Sequence, residues 1–273
     1  MNELTRRSFL ASTSGIAAVA ATSLPAFAAD SAAEKGKAIV NEALEALGGE
    51  KFLQMKDRIE EGRAYSFYRE QLAGLSRAKI YTRYLETTSP KGLAVRERQV
   101  FGKDEDNSVL IDENAEGWEI TFRGARPLPE AQMQRYLDST PRNILYLLRK
   151  RLKEPGMIIE SAGSDVLVNE PVNIVEFTDS ANRGLTVYFH YSTKLPIRQK
   201  FFRRDPQTKE RFEEVTLFSK FRGVGGGVKW PYAIRRERDG EKIFEIFSEK
   251  VVINQDLNDS LFMLPADLKR LKP

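Results

Sequence analysis

The chain has 273 residues, with 43 Lys or Arg against 39 Asp or Glu, for a formal net charge of +4. It contains no cysteine, which excludes a disulfide framework, a thiolate metal site and an acyl anchor on an N-terminal cysteine. Charged residues make up 30% of the chain with both signs interleaved, the pattern of a solvated surface rather than of a nucleic-acid-binding face, despite a pI near 9.1.

The first residues read Thr5-Arg6-Arg7-Ser8-Phe9-Leu10, followed by an Ala/Ser/Thr/Gly stretch and then Leu24-Pro25-Ala26-Phe27-Ala28. A charged start, a weakly apolar middle and a small-x-small site form an export signal cut after Ala28, and the paired arginines before Phe9-Leu10 match the twin-arginine type. The alternative is an ordinary secretory signal that happens to carry two arginines. Residues 1–28 are therefore expected to direct the protein to the periplasm. Removing Arg6, Arg7 and Glu3 with them leaves 41 basic and 38 acidic residues, a charge of +3. Neither the signal nor any later stretch supplies the roughly 20 apolar residues of a spanning helix. No fixed-period repeat and no Pro/Gly/Ser-rich linker divides residues 29–273, which read as one domain.

In chain order, Ile39, Val40, Ala43, Leu44 and Leu47 paint one stripe on a helix over residues 33–47, stopped by Gly48-Gly49. The period then changes to two. Strands are expected over residues 58–68, 78–85, 93–101, 108–112 and 118–122, the last alternating Trp118, Ile120 and Phe122 with polar residues. Pro127-Leu128-Pro129 ends this segment and opens a helix to Leu137; Ser139-Thr140-Pro141 resembles an N-cap, and a second helix runs from Ile144 to Lys153. Its buried face carries Ile144, Leu145, Leu148 and Leu152, while Arg149, Lys150, Arg151 and Lys153 read as solvated cations compensating the helix dipole, with a specific anion or membrane role as the alternative. Strands follow over residues 157–160, 166–168, 172–177, 185–190, 197–203, 212–222, 228–238 and 242–253. Turns at Asp205-Pro206-Gln207-Thr208, Gly225-Gly226-Gly227 and Asp239-Gly240 make the pairing antiparallel. The fold class is α+β and mainly β: an antiparallel open half-barrel whose concave face is covered by helices.

Chemistry is sparse. His190 is the one histidine, set at a strand end with no nucleophile motif to serve, and reads as a hairpin residue. Asp104-Glu105-Asp106-Asn107 lacks calcium-loop spacing and reads as a solvated turn. Gly225-Gly226-Gly227 has no following helix to present to phosphate, so it reads as a flexible turn. Arginine-flanked pairs such as Phe201-Phe202 face opposite sides of a strand, which argues against base stacking. No cofactor, metal or catalytic motif is present. What remains is an aromatic stock: Tyr65, Phe67, Trp118, Ile120, Phe122, Trp230 and Tyr232 on strands, with Leu145, Leu148 and Leu152 on the covering helix. These either form an ordinary core or line an apolar cavity under the helices.

Three segments resemble the LolA-like superfamily of periplasmic outer-membrane lipoprotein carriers. Val109-Leu110-Ile111-Asp112 with Gly117-Trp118-Glu119-Ile120 is similar to the family's strand, turn and Trp-bearing strand. The hairpin from Val187-Tyr188-Phe189 to Lys194-Leu195-Pro196-Ile197-Arg198 resembles its later strand pair, and the ending from Leu257 to Leu264-Pro265 its terminal Phe-x-x-Pro segment. The resemblance spans most of residues 29–273 and implies a half-barrel closed by helices, with an apolar interior for acyl chains. It also implies a lid-latching arginine, for which Arg63 and Arg83 are candidate positions. The chain is longer than the best-known carriers, with extended strands between Phe201 and Ile253.

The expected function is a non-enzymatic carrier or binder of lipid, acylated protein or another amphiphile. The expected ligand-binding residues are Tyr65, Phe67, Trp118, Ile120, Phe122, Leu145, Leu148, Leu152 and Trp230. Nucleic acid is excluded as a partner; a periplasmic or membrane protein remains one. A structural or sensory module gripping a partner protein is the alternative, and an exported enzyme using a carboxylate pair is a third.

Overall fold

The computed structural model describes residues 24–87, 93–102, 107–204 and 208–272. The expected signal before Leu24, the acidic run Asp104-Glu105-Asp106 and the turn residues Asp205-Pro206-Gln207 lie outside them. Helix α1 (Leu24–Leu47) leads through Gly48 into a short α2 (Gly49–Leu53). Gly48 and Gly49 have φ of 124° and 55°, so the left-handed stop is real, but the chain bends there and resumes a helical turn instead of entering a strand.

Six strands follow: β1 (Asp57–Tyr68), β2 (Gln71–Tyr84), β3 (Val95–Phe101), β4 (Asn107–Ile111), β5 (Gly117–Thr121) and β6 (Gly124–Pro127). Strand β6 is additional to the sequence expectation, and Phe122 falls in the turn between β5 and β6. Helix α3 (Glu130–Ser139), a 3-10 turn (Thr140–Arg142) and α4 (Ile144–Lys150) come next. The cap of α4 is not the Ser139-Thr140 pair. Asn143 Oδ1 accepts from the backbone N–H groups of Leu145 at 3.0 Å and Tyr146 at 3.4 Å, because the proline after Thr140 closes a separate turn first. The chain then makes β7 (Ile158–Leu167), β8 (Glu170–Thr178), β9 (Gly184–His190), β10 (Pro196–Arg204), β11 (Arg211–Gly223), β12 (Lys229–Arg238) and β13 (Glu241–Ile253). The two short strands expected over 157–168 are one strand, β7, with a bulge at Ser161/Gly163.

All thirteen strands form one antiparallel sheet ordered β6-β5-β4-β3-β2-β1-β13-β12-β11-β10-β9-β8-β7. The first six strands meander outward from β1 and the last seven return to pair β13 with β1, so the stretch holding α3 and α4 carries the chain from one free edge to the other. Each edge is covered, as unpaired strand edges require. Helix α1 lies on β7, where Gly36 approaches the Glu160–Ser161 backbone. On β6, Ala125 N–H donates to Lys269 O at 2.9 Å and Leu271 N–H to Ala125 O at 2.7 Å.

The main core sits between the helices and the curled sheet. Val40, Ala43 and Leu47 of α1, Phe52 of α2 and Leu145 and Leu148 of α4 pack against Val175, Phe177, Phe189, Phe201, Phe218, Trp230 and Val251 from β8 to β13. Helix α3, through Met133, and Leu128 just before it cover the other wing on Ile111.

Candidate ligand site beneath the helical cap

Helix α4 is seven residues long and buried from Ile144 to Arg149. So short a helix is not stable by itself, and side chains tie it down around its circumference. Gln199 of β10 accepts from Ile144 N–H at 2.8 Å and donates to Arg142 O at 3.0 Å. Tyr146 OH accepts from Ala94 N–H at 2.8 Å, linking α4 to the β2–β3 connection. Arg142 lies 4.0 Å over the Phe201 ring and donates to Phe202 O at 3.0 Å.

The cation cluster of α4 is not the solvated group expected from its sequence. Arg149 and Arg151 are buried, Lys150 Nζ donates to Leu85 O, and Lys153 is the exposed member. Arg151 donates to Pro141 O at 2.8 Å, Glu154 at 3.0 Å and Asp179 at 3.0 Å. The reason is geometric: α4 is sunk between the curled sheet and the β2–β3 connection, so its end points at backbone carbonyls instead of water.

Arg149 joins two parts of the cap. Its Nη2 donates to Met55 O and, at 3.3 Å, to Leu53 O, while its guanidinium lies 3.8 Å from the Tyr84 ring centre. The latch positions named from the sequence do not touch the cap. Arg63 is exposed and pairs with Glu249 at 3.0 Å, and Arg83 pairs with Asp259 of the C-terminal segment. Beside Arg149, Arg58 of β1 donates to Tyr84 OH at 3.3 Å and Thr82 Oγ1 at 3.0 Å. It stacks 4.1 Å from the Trp230 ring and stands 3.5 Å from Glu60. Burial, strengthened by the charge of Arg58, pulls Arg149 below its ordinary pKa. Burial also lowers Arg58, but Tyr84, Glu60 and Glu97 together raise it above the usual value.

The nine residues named from the sequence divide. Leu145, Leu148 and Trp230 meet in the main core with Leu152 against them. Tyr65 stands edge-on to Phe247 at 5.9 Å, on the face opposite Glu60 and Ala64 by alternation along β1. Phe67 lies beneath Lys242 at 4.0 Å. Trp118 and Ile120 face away from α3: a side chain at the neighbouring Gly117 would meet Leu128 and Met133, and Trp118 instead meets Arg270 of the C-terminal segment at 5.7 Å. Phe122 is 83% exposed. A period of two puts residues on one face without saying which face is inner, and the covering C-terminal segment could not be placed from the sequence.

The open hollow expected at the named positions is filled in this conformation: Leu145, Leu148 and Trp230 are each 3% exposed or less. Two grooves flank the cap. One, of ≈ 540 Å³, runs between α1 and the β7–β8 hairpin along Lys35, Ile39, Glu42, Gly163, Asn173 and Lys194. The other, of ≈ 310 Å³, lies beside the Gly225-Gly226 turn and Gln255. That turn is closed by a Val228 N–H to Gly225 O bond of 3.0 Å and packs under Gly48, so it has a structural task. His190 Nδ1 accepts from the N–H groups of Ser192 at 3.2 Å and Thr193 at 3.0 Å, closing its own hairpin. Among the described residues no three acidic or histidine side chains converge as metal ligands.

An open antiparallel sheet wrapped around a helical cap, with one helical segment bridging its two free edges, defines a LolA-like fold. Solved structures agree. A structure described as an outer membrane lipoprotein-sorting protein domain from Vibrio parahaemolyticus superposes with a TM-score of 0.56 at 11% identity. A DUF1329 family protein from Desulfovibrio piger gives 0.56 at 14%, and a LolA superfamily protein from Nitrosomonas europaea 0.51 at 11%. Each alignment covers 84% of this chain and 97% of the other. No family model matches the sequence, and no curated protein matches it.

Proposed function

We propose that the protein binds an amphiphile, either lipid or the acyl part of a lipoprotein, and acts by binding rather than catalysis. The proposal places it in the periplasm after twin-arginine export and cleavage behind Ala28, with residues 29–273 as a single LolA-like domain and no nucleic-acid partner. The observation that carries the reading is the continuity of the apolar cluster from β8 to β13 beneath α1, α2 and α4. Lifting those helices would bare an aliphatic and aromatic trough, and each methylene buried there would contribute about 0.8 kcal/mol. The present conformation is the closed form, in which Leu145 and Leu148 occupy the trough themselves. Leu145, Leu148, Leu152 and Trp230 are the ligand-facing residues of this reading.

Protein purified without detergent is expected to release lipid on organic extraction, read by mass spectrometry. Leu152→Glu, on a half-buried side chain, is expected to lower retention, and Trp118→Glu on the outer face to leave it unchanged. Lipid-free wild type that also fails to take up a fluorescent fatty acid would remove the proposal. A second reading, a module that grips a protein, is favoured by one observation: Tyr68, Leu72 and Leu75 are exposed at the tip of the β1–β2 hairpin, beyond the pairing of β2 with β3.

A further inference from the structure

We propose that Arg149, with Arg58 and the Trp230 indole beside it, forms a buried site for the acidic headgroup of the amphiphile, a carboxylate or phosphate whose tail lies in the adjoining trough. The inference rests on the amphiphile-binding reading and names its ligand class.

Three nitrogen atoms in this cluster are buried with no acceptor among the described residues, Arg149 Nε and Nη1 and Trp230 Nε1; Arg58 Nε makes no hydrogen bond and stands 3.5 Å from Glu60 Oε2. Every one is a donor, so what the cluster lacks is an acceptor. Arg149 is 9% exposed and Trp230 3%, which keeps water from serving them freely, and a buried donor left unmade costs free energy. The charges are uneven as well. Glu60, which also accepts from Ser248 Oγ, and Glu97 both act on Arg58. Arg149 meets two backbone carbonyls and the ring faces of Tyr84 and Phe52, and no carboxylate among the described residues.

A buried guanidinium held only by neutral partners is destabilising unless an anion joins it. An oxyanion would receive charge-assisted bonds from the free edge of Arg149, the shortest and strongest kind. The cluster is continuous: Arg149 lies on Tyr84, Tyr84 OH accepts from Arg58, and Arg58 lies on Trp230. Phe52, Met55 and Trp230 also belong to the main apolar core. The cationic spot thus stands at the margin of the trough, where a molecule with one acidic end and one acyl chain satisfies both at once. A small free anion would use the charge and leave the trough untouched.

The test compares 16-carbon ligands that differ only in the head, by displacement of a fluorescent alkyl probe: hexadecanoate, hexadecyl phosphate and hexadecanol, with acetate and inorganic phosphate as tail-free arms. Wild type is expected to favour the two acidic ligands over hexadecanol by about tenfold, equivalent to about 1.4 kcal/mol. Arg149→Met is expected to bring the ratio of acidic-ligand to hexadecanol affinity to about one, whatever its effect on hexadecanol itself, and Arg149→Lys to keep part of the preference, because the charge stays while the planar fork is lost. Equal binding of hexadecanoate and hexadecanol by wild type would overturn the headgroup site and leave amphiphile binding standing. Failure of all three long-chain ligands would remove both. Acetate or phosphate binding as tightly as the long-chain acids would assign a free anion and overturn the headgroup.

Discussion

Gly36 of α1 passes so close to Glu160 of β7 that a Cβ placed on it would stand 2.9 Å from the Glu160 carbonyl carbon, and 2.9 Å from the Ser161 amide nitrogen. The obstacle is backbone and cannot swing aside. Gly36→Val gains a few tenths of a kcal/mol in helix propensity, but the forced separation is expected to cost about 2 kcal/mol. Urea unfolding gives the total. Hydrogen exchange should show β7 losing protection before β12, and equal loss in the two strands would contradict this account of α1 as the cover of that edge.

Asp179 anchors the end of α4. Its Oδ1 accepts from the N–H groups of Ala181 and Arg183, both at 3.0 Å, and its Oδ2 from Arg151 at 3.0 Å and Arg183 at 2.8 Å. Burial raises the carboxyl, but the side chain and backbone N–H of Arg183 and the guanidinium of Arg151 outweigh it and hold the pKa at about 2. A folded pKa below the unfolded one means that this stability is present above about pH 4 and lost as pH falls toward the folded value; it amounts to roughly 2 kcal/mol. Asp179→Asn should cost about 3 kcal/mol at neutral pH, because Arg151 loses a buried partner. Urea midpoints between pH 6 and 2 should fall less steeply in the variant than in wild type.

Gln199 bonds both the last residue of the 3-10 turn and the first of α4. Replacing it with leucine keeps the volume and leaves Ile144 N–H and Arg142 O buried without that partner, a loss of about 2 kcal/mol. A thermal or urea shift close to zero would show that α4 is held by its apolar face alone.

Gly124 has φ of 131°, and a Cβ there would lie 2.3 Å from Lys269 O. Gly124→Ala is therefore expected to release the C-terminal segment from β6 at a cost of about 1–3 kcal/mol. Limited trypsin digestion should cut at Lys269 or Arg270 faster in the variant; unchanged cutting would mean that the segment is retained by other contacts, such as those of Asp57 Oδ1 with Gln255 N–H at 2.7 Å and Oδ2 with Leu257 N–H at 3.2 Å.

Most strands from β8 to β13 begin and end within two residues of their expected limits, because each alternates cleanly and is bounded by its own turn. Strand β6 escaped notice: four residues ending in Pro127 carry no alternation, and the strand exists because β5 and the C-terminal segment pair with it. Of the candidate site, Leu145, Leu148 and Trp230 were legible as large apolar residues at the right period. Arg149 was not, since a cation at the end of a helical stripe reads as solvated until the carbonyls of Leu53 and Met55, nearly a hundred residues away, close over it.

Local pattern determined the three main helices and most of the strands, their antiparallel pairing and the half-barrel class, because periodicity and turn chemistry act within a dozen residues. Sidedness belonged to the tertiary structure. The wing carrying Trp118 turns that ring toward Arg270, and α4 sinks until Arg149 is enclosed. Which face becomes interior depends on what packs over it from distant parts of the chain, and hydrophobic burial, being non-directional, leaves no mark of that choice on a single strand.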